Sequence, residues 1–175
     1  DTTKLAAQDV FNNKVIAWYE GKSEVGPRAL GHRSLVSNPT YKDNWKRVNK
    51  IKEREWWRPF APSVLEEEAD KWFAKIPFPS PYMLFTGQVI NSKKIPAITH
   101  VDNSSRIQTV NKSCGQYYQM IKEFYKLSKI PLVMNTSFNG PGEPIIETPE
   151  QAIKFLLNTD LDLLYIDGYR VPRKI

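Results

Sequence analysis

The sequence of 175 residues contains no apolar run near the roughly 20 residues that a membrane-spanning helix needs. Its first residues, DTTKLAAQDVF, include acids and amides where a secretory signal would be apolar. We therefore expect a soluble, cytoplasmic chain. Because it begins at Asp1 without a methionine, we also expect it to be a piece of something longer.

The sequence is also poor in the side chains that build metal and nucleophile sites, with one cysteine and two histidines. Cys114 has no cysteine partner for a disulfide or a zinc site, which favours a packing role. His100 and Asp102 in THVD are predicted to share a strand face and could form half of a metal site. With so few ligands no dedicated transition-metal site is expected, and we interpret His100 as a hydrogen-bonded residue near the ligand. The absence of a GxSxG elbow argues against a nucleophilic hydrolase.

What the chain does have is a basic excess, with 25 Lys and Arg against 19 Asp and Glu, a formal net charge of +6. Such an excess favours an anionic partner, whether nucleic acid, nucleotide or phosphorylated metabolite. With 41% hydrophobic residues over this length, we expect one domain, residues 1–175.

Apolar periodicity predicts strands and helices that alternate, although several strands follow one another directly. TPEQAIKFLL shows the clearest helix start, with Thr148 as N-cap, Pro149 at the first helical position and Gln151 closing a capping box. RPFAPSVL, with two prolines in four residues, is predicted to be an edge strand or a loop. A mixed sheet with helices packed on it, α/β or α+β, is the expected fold. The predicted helices lie near 5–11, 42–52, 66–73, 115–128 and 149–157, and the predicted strands near 14–20, 34–38, 82–90, 96–102, 106–110, 130–134 and 161–166. A turn around Asp167 and Gly168 and a short return strand are predicted after the last of these.

The turn GPRALGHRS, residues 26–34, places Arg28 and Arg33 among glycines after a predicted strand. Such a turn can aim backbone N–H groups at an anion, and arginine adds planar, bidentate donors. The pattern fits neither a P-loop nor a dinucleotide fingerprint. An ordinary turn whose arginines pair with acids such as Glu24 is an equally open interpretation.

A second basic group, KIKEREWWRPF, sets Lys52, Arg54 and Arg58 beside Trp56 and Trp57. Cations among aromatics can bind a nucleotide or a nucleic acid. Alternatively, the tryptophans belong to the core and the cations extend past them to solvent.

Further polar candidates follow predicted strands. Arg106 follows DNSS and is predicted to begin a strand and to point into a pocket at the end of the sheet. In NTSFNGPGE, Asn135, Ser137 and Asn139 alternate after a buried strand, so their side chains would share one face and converge on one ligand. Ordinary turn chemistry is the competing explanation.

These motifs occur together and in a specific order. GPRALGHRS, KIKERE..RPFAPSVL, ITHVDNSSRIQTV, VMNTSFNGPGEPIIETPEQAI and LDLLYI resemble the carboxy-terminal domain of the O-carbamoyltransferases of the NodU/CmcH type, over about residues 15–167. The resemblance implies a YrdC-like fold, a twisted open mixed sheet with a basic concave face.

In function, the resemblance implies a domain that converts carbamoyl phosphate and ATP, as its magnesium complex, into carbamoyl adenylate. A separate, Kae1-like amino-terminal domain, which this chain lacks, would then transfer the carbamoyl group to an acceptor hydroxyl. Residue by residue, the resemblance assigns the ligand site to Arg28, Lys52, Arg58, Arg106, Asn135 and Ser137. Asn139, His100 and Arg33 are further candidates around it. His32 stands where most of the family has asparagine.

Two other classes of function stay open on the sequence. The net charge and the cations beside aromatics also suit an RNA-binding module, whose affinity would fall steeply with salt. A domain that keeps the fold and only supports a partner domain is the third possibility.

Overall fold

The computed structural model describes residues 1–173; residues 174 and 175, which the predicted single domain includes, lie outside the described part. The chain forms four α-helices and ten strands within this range. The helices are α1 (Thr2–Phe11), α2 (Asn44–Ile51), α3 (Gly115–Ser128) and α4 (Pro149–Asn158). The strands are β1 (Ile16–Tyr19), β2 (Arg33–Ser37), β3 (Ala61–Leu65), β4 (Phe73–Ala74), β5 (Thr86–Val89), β6 (Ser104–Arg106), β7 (Gln108–Val110), β8 (Leu132–Ser137), β9 (Leu163–Ile166) and β10 (Tyr169–Pro172).

The main sheet is mixed, as the sequence predicts, with seven strands in the order β10-β9-β1-β2-β8-β3-β7. β1 is parallel to β9, and β3 is parallel to β7, while the other neighbours are antiparallel. A small antiparallel sheet contains β4, β5 and β6. Its last strand leads directly into β7, which connects the two sheets along the chain.

Helices pack on the main sheet because their apolar faces need cover. α1 and α3 lie against each other, and α3 buries Tyr117, Met120, Ile121 and Phe124 in the core that it shares with the strands. Burying a side chain of this size contributes roughly 1.5–3 kcal/mol. α4 begins as predicted, with the Thr148 hydroxyl accepting from the Gln151 N–H and the Gln151 side chain accepting from the Thr148 N–H.

Several predicted strands and helices differ in the structure. β3 is not an edge strand, because it pairs with β8 on one side and β7 on the other. The ladder with β7 begins at Ser63, one residue after Pro62, so the missing proline N–H removes no bond to β7. The helix predicted near 66–73 is a 3-10 helix, Glu66–Lys71. Of the strand predicted over 82–90, only Thr86–Val89 forms a strand, β5.

The strand predicted over PAITHVD is wrong. Pro96–Ile98 forms a short 3-10 helix, and the chain then turns through 101–103. The Asp102 carboxylate accepts from the Ser104 N–H at 3.0 Å and from the Ser104 hydroxyl at 2.6 Å, an Asx turn that bends the backbone. Arg106 consequently ends β6 rather than beginning a strand.

In the described residues 1–173, no helix has the length and apolar character to cross a membrane.

Candidate functional site

The turn between β1 and β2 is organised by one carboxylate. Glu24 Oε1 accepts from the backbone N–H groups of Leu30 at 2.7 Å and His32 at 2.8 Å. Gly31 lies within this turn at φ 114°, and a Cβ atom there would sit 2.4 Å from the Tyr117 ring. The turn is therefore held at a fixed distance from α3, and it presents Arg28 at the surface of a cavity.

Arg33, the second arginine of the turn, does not face that cavity. Its side chain is buried, with the residue 2% exposed, and the guanidinium lies 3.4 Å from the centre of the Tyr19 ring. It donates to the carbonyl oxygens of Glu20 and His32 at 3.0 Å and of Gly21 at 2.7 Å. Neither anion binding nor pairing with the Glu24 carboxylate describes this side chain, which instead braces the turn by filling backbone acceptors.

Lys52, just after α2, is directed into the loop that follows β8. Its ammonium donates to Asn139 Oδ1 at 2.7 Å and to the Asn139 carbonyl at 3.1 Å, and it lies 3.4 Å from Ser137 Oγ. The residue is 4% exposed. Burial, with a smaller contribution from Arg54, lowers the pKa of Lys52 to about 7.

Arg54 is the site residue that the sequence analysis did not assign. Its Nε donates to Asn49 Oδ1 at 2.5 Å, and its guanidinium lies 4.5 Å from the centre of the Phe60 ring. Burial first, and then the charge of Arg58, lower its pKa to about 10. Its position two residues after Lys52 was the available signal.

These side chains line a cavity with two adjoining parts. The outer compartment, about 570 Å³, lies between residues 52–58 and the loop 137–142. The inner compartment, about 90 Å³, lies beneath it. Arg28, Arg54 and Ser137 line both, so the compartments adjoin.

The cavity is strongly cationic. Five cationic side chains line it, against the two carboxylates of Glu53 and Glu55. Glu55 pairs with Arg58 at 3.0 Å, and both side chains of this ion pair are about half exposed. The five cations are Arg28, Lys52, Arg54, Arg58 and Arg106.

The alternating polar residues at the end of β8 and just after it also line this cavity. Asn135 and Ser137 line the inner compartment, and Ser137 and Asn139 line the outer one. The Ser137 hydroxyl donates to Asn139 Oδ1 at 2.7 Å. Arg106 also lines the inner compartment, and burial together with Arg28 lowers its pKa.

His100 lines a hollow of about 500 Å³ with Asp102 and the three tryptophans Trp45, Trp56 and Trp57. This hollow adjoins the inner compartment, because Pro59 and Phe60 line both. Burial lowers the pKa of His100. His100 does not line the compartments that hold Arg28 and Arg54, but the charge of Arg106 also contributes to lowering its pKa, so its place beside the ligand stays a prediction.

Within the described range 1–173, no group of three or more His, Cys, Asp or Glu side chains is placed to hold a metal ion.

A third hollow, which is distinct from the two compartments taken together and from the hollow of His100, has a volume of about 510 Å³. It adjoins the outer compartment and shares Glu53, Gly140 and Pro141 with it. Its remaining wall includes Ile51, Ile146 and Phe155. The cationic compartments can thus take anionic oxygens, and the third hollow can take an apolar or aromatic group beside them.

Solved structures with the same fold include proteins of very different sequence. Full-length HypF, in a phosphate- and nucleotide-bound form, superposes with a TM-score of 0.69 at 17% identity, over 99% of this chain and 26% of that one. Sua5 from P. abyssi gives a TM-score of 0.65 at 18% identity, over 97% of this chain and 49% of that one. The fold is therefore the YrdC-like α/β fold of the HypF and Sua5 domains, as the resemblance implied.

Curated relatives are much nearer in sequence. The nodulation proteins NolNO of Sinorhizobium fredii and NolO of Bradyrhizobium diazoefficiens are each 41% identical over 99% of the chain. A 3'-hydroxymethylcephem-O-carbamoyltransferase of Amycolatopsis lactamdurans is 40% identical over 76% of the chain. The chain spans 26% of NolNO, 33% of NolO and 26% of the cephem enzyme. The family model described as carbamoyltransferase C-terminus matches residues 7–173, and the chain belongs to this family of carbamoyltransferase C-terminal domains.

Proposed function

We propose that this domain binds ATP and the carbamoyl group supplied by carbamoyl phosphate, and joins them as carbamoyl adenylate. The observation that carries the proposal is the cavity itself, in which five cations surround a polar floor of Asn135, Ser137 and Asn139. Membership of the carbamoyltransferase family supports the carbamoyl part.

The reaction requires little from the protein beyond position and charge. Water cleaves carbamoyl phosphate to carbamate and phosphate, and a carbamate oxygen then attacks the α-phosphorus of ATP. The bond between the α- and β-phosphates breaks, and pyrophosphate leaves with its electron pair. Negative charge spreads over phosphate oxygens in this step, so preorganised cations stabilise it and no side-chain nucleophile is needed.

Each compartment suits one part of the substrates. The outer compartment, with Arg28, Lys52 and Arg58, suits the triphosphate, which enters as its magnesium complex. The third hollow beside it offers apolar surface for the base. The inner compartment is too small for a nucleotide and suits the carbamate.

Transfer of the carbamoyl group to an acceptor hydroxyl would need a further domain. Because the chain spans only about a quarter to a third of its curated relatives, we place that step in a Kae1-like amino-terminal domain of the longer protein. The domain alone then makes the adenylate and does not complete the transfer.

Pyrophosphate release in the presence of ATP and carbamoyl phosphate tests the proposal. Release should require both substrates and should fall at least 100-fold in Arg28→Ala and Lys52→Ala, as expected when a charge-stabilising group is removed (roughly 10²–10³-fold). Lys50→Ala is the matched control, since Lys50 lies in the last turn of α2, two residues before Lys52, pairs with Asp160 and points to solvent. Equal release by the wild type and the two cavity variants would refute the proposal.

A further inference from the structure

Three buried polar atoms, each on a residue that lines the inner compartment, make no hydrogen bond within the described residues. They are Arg54 Nη2, Arg106 Nε and Asn135 Oδ1. All three residues line this compartment. The first two atoms are donors, and the third is an acceptor. Because buried polar groups are normally paired, the set predicts a ligand with the complementary pattern.

The orientation of the Asn135 amide follows from its neighbours. Its Nδ2 lies 2.9 Å from the carbonyl oxygen of Ala29, which can only accept. Nδ2 also donates to Gln108 Oε1 at 3.1 Å, and Gln108 is itself oriented by donating from Nε2 to the Leu30 carbonyl at 2.8 Å. The amide nitrogen therefore faces the turn and the sheet, and Oδ1 is the atom left for the compartment. With 1% exposure, Asn135 cannot satisfy this oxygen in bulk solvent.

The Asn135 Oδ1 acceptor, in a pocket that is otherwise cationic, favours ligands that carry an N–H donor over ligands that carry only oxygens. A fully ionised phosphate or a carboxylate offers only acceptors, so it would satisfy the arginines and leave Asn135 Oδ1 facing another oxygen. Carbamate, like the carbamoyl group with its bridging oxygen in carbamoyl phosphate, carries an amino group and two oxygens on one carbon, so it offers both N–H donors and oxygen acceptors. The compartment, at about 90 Å³, is larger than the roughly 10–15 Å³ that one water needs, and it admits a group of a few heavy atoms.

We propose that Asn135 is a specificity-determining residue, which selects the carbamoyl group by accepting a hydrogen bond from its N–H while Arg54 and Arg106 donate to its oxygens. The inference rests on the proposed function. It adds that Asn135 distinguishes the amino group of the substrate from a methyl group or an oxygen at the same position.

Two stable phosphonates test this selection directly. Phosphonoacetamide carries a primary amide, and acetonylphosphonate replaces the amide nitrogen with a methyl group of nearly the same shape. Titration calorimetry with the chain should show the amide binding roughly tenfold or more tighter, because the ketone leaves Oδ1 unpaired. Equal affinity for the two, or no binding of either at millimolar concentration, would overturn the inference without any variant.

Asn135→Leu extends the test, since it removes the acceptor and keeps the approximate volume. Its preference between the two phosphonates should fall to near unity. Ser63→Ala is the matched control, because it removes one partner of Nδ2 and leaves Ala29 and Gln108 to hold the amide. This control should keep the preference, and a control that loses it as completely as Asn135→Leu would contradict a direct role for Oδ1.

The inference and the proposed function can fail separately. Pyrophosphate release without any preference between the phosphonates would remove the role of Asn135 and leave adenylate formation standing. A clear preference in a chain that releases no pyrophosphate would support carbamoyl selection and refute adenylate formation.

Discussion

Arg28 and Arg33, five positions apart in one turn, differ completely in environment. Arg28 is exposed at the mouth of the cavity, whereas Arg33 is buried among carbonyl oxygens and stacked on Tyr19. Composition does not distinguish the two arginines, because the Arg33 contacts with the Gly21 and Glu147 carbonyl oxygens form only once the chain has folded.

Substituting each arginine should therefore have opposite effects on stability and on binding. Arg33→Met should lower the free energy of unfolding by about 2–4 kcal/mol, because several carbonyls lose a charged donor. Arg28→Ala should leave it within about 0.5 kcal/mol and abolish ATP binding. Denaturant melts and ATP titration would check this, and an Arg33→Met protein that keeps its stability but loses ATP would reverse the assignment.

Lys52 gives the cavity a pH dependence. Because burial and Arg54 lower its pKa to about 7, the amine of the free protein loses its proton as the pH rises through that value, and the cavity loses a cation. ATP affinity should fall by up to about tenfold per pH unit above 7. Titrations between pH 6 and 8.5 should show the fall in the wild type and not in Lys52→Met, for which the protonation of ATP itself is the same. Parallel profiles of ATP affinity against pH for the two proteins would contradict a titration of Lys52 in this range.

At the scale of elements, the site depends on how loops are fixed to the sheet. The sequence predicts that Asn135, Ser137 and Asn139 share a face because they follow the apolar run 130–134, which its composition identifies as part of a buried strand. It fails at residues 96–102, where apolar residues resemble a strand but Asp102 turns the backbone by accepting from Ser104. It names Arg54 only as one member of a basic group, because the contacts with Asn49 and Phe60 that position its side chain are created by the fold.

The turn that carries Arg28 depends on Gly31 in the same way. Gly31→Ala should lower the free energy of unfolding by about 2–4 kcal/mol and weaken ATP binding, since its Cβ would overlap the buried Tyr117 ring and force the turn outward. Gly115→Ala is the control, because its φ is also positive but its Cβ would meet nothing within 4 Å. Gly115→Ala should lower the free energy of unfolding by about 1–2 kcal/mol and leave ATP binding unchanged. Equal losses of ATP affinity in Gly31→Ala and Gly115→Ala would contradict the claim that the contact between Gly31 and Tyr117 positions the turn.

For the whole molecule, the net charge of +6 is less informative than its distribution. Five cations line the two adjoining compartments, and the exposed tryptophans line a neighbouring hollow with Asp102. This separation disfavours a nucleic-acid groove in which cations contact the phosphates while aromatic side chains stack on the bases.

The fold class could be predicted from the alternating strands and helices. The gathering of the cations could not, because it arises from residues that the fold brings together across the sheet.

Single-stranded RNA should therefore bind weakly to the chain. At about 0.15 M salt, fluorescence anisotropy of a labelled RNA oligomer should show little binding, and ATP should displace what binds, since both would use the same cations. RNA binding that resists ATP and falls steeply with salt would instead identify a separate nucleic-acid surface.

Formation of the covalent intermediate is the most direct measure of the central claim. The chain is mixed with ATP and carbamoyl phosphate labelled with ¹³C at the carbamoyl carbon, quenched, and the nucleotides are analysed by mass spectrometry. We predict an adenylate that carries the labelled carbamoyl group in the wild type and none in Arg54→Ala. Labelled carbamate with AMP or ADP and no labelled adenylate, at any reaction time, would contradict the account.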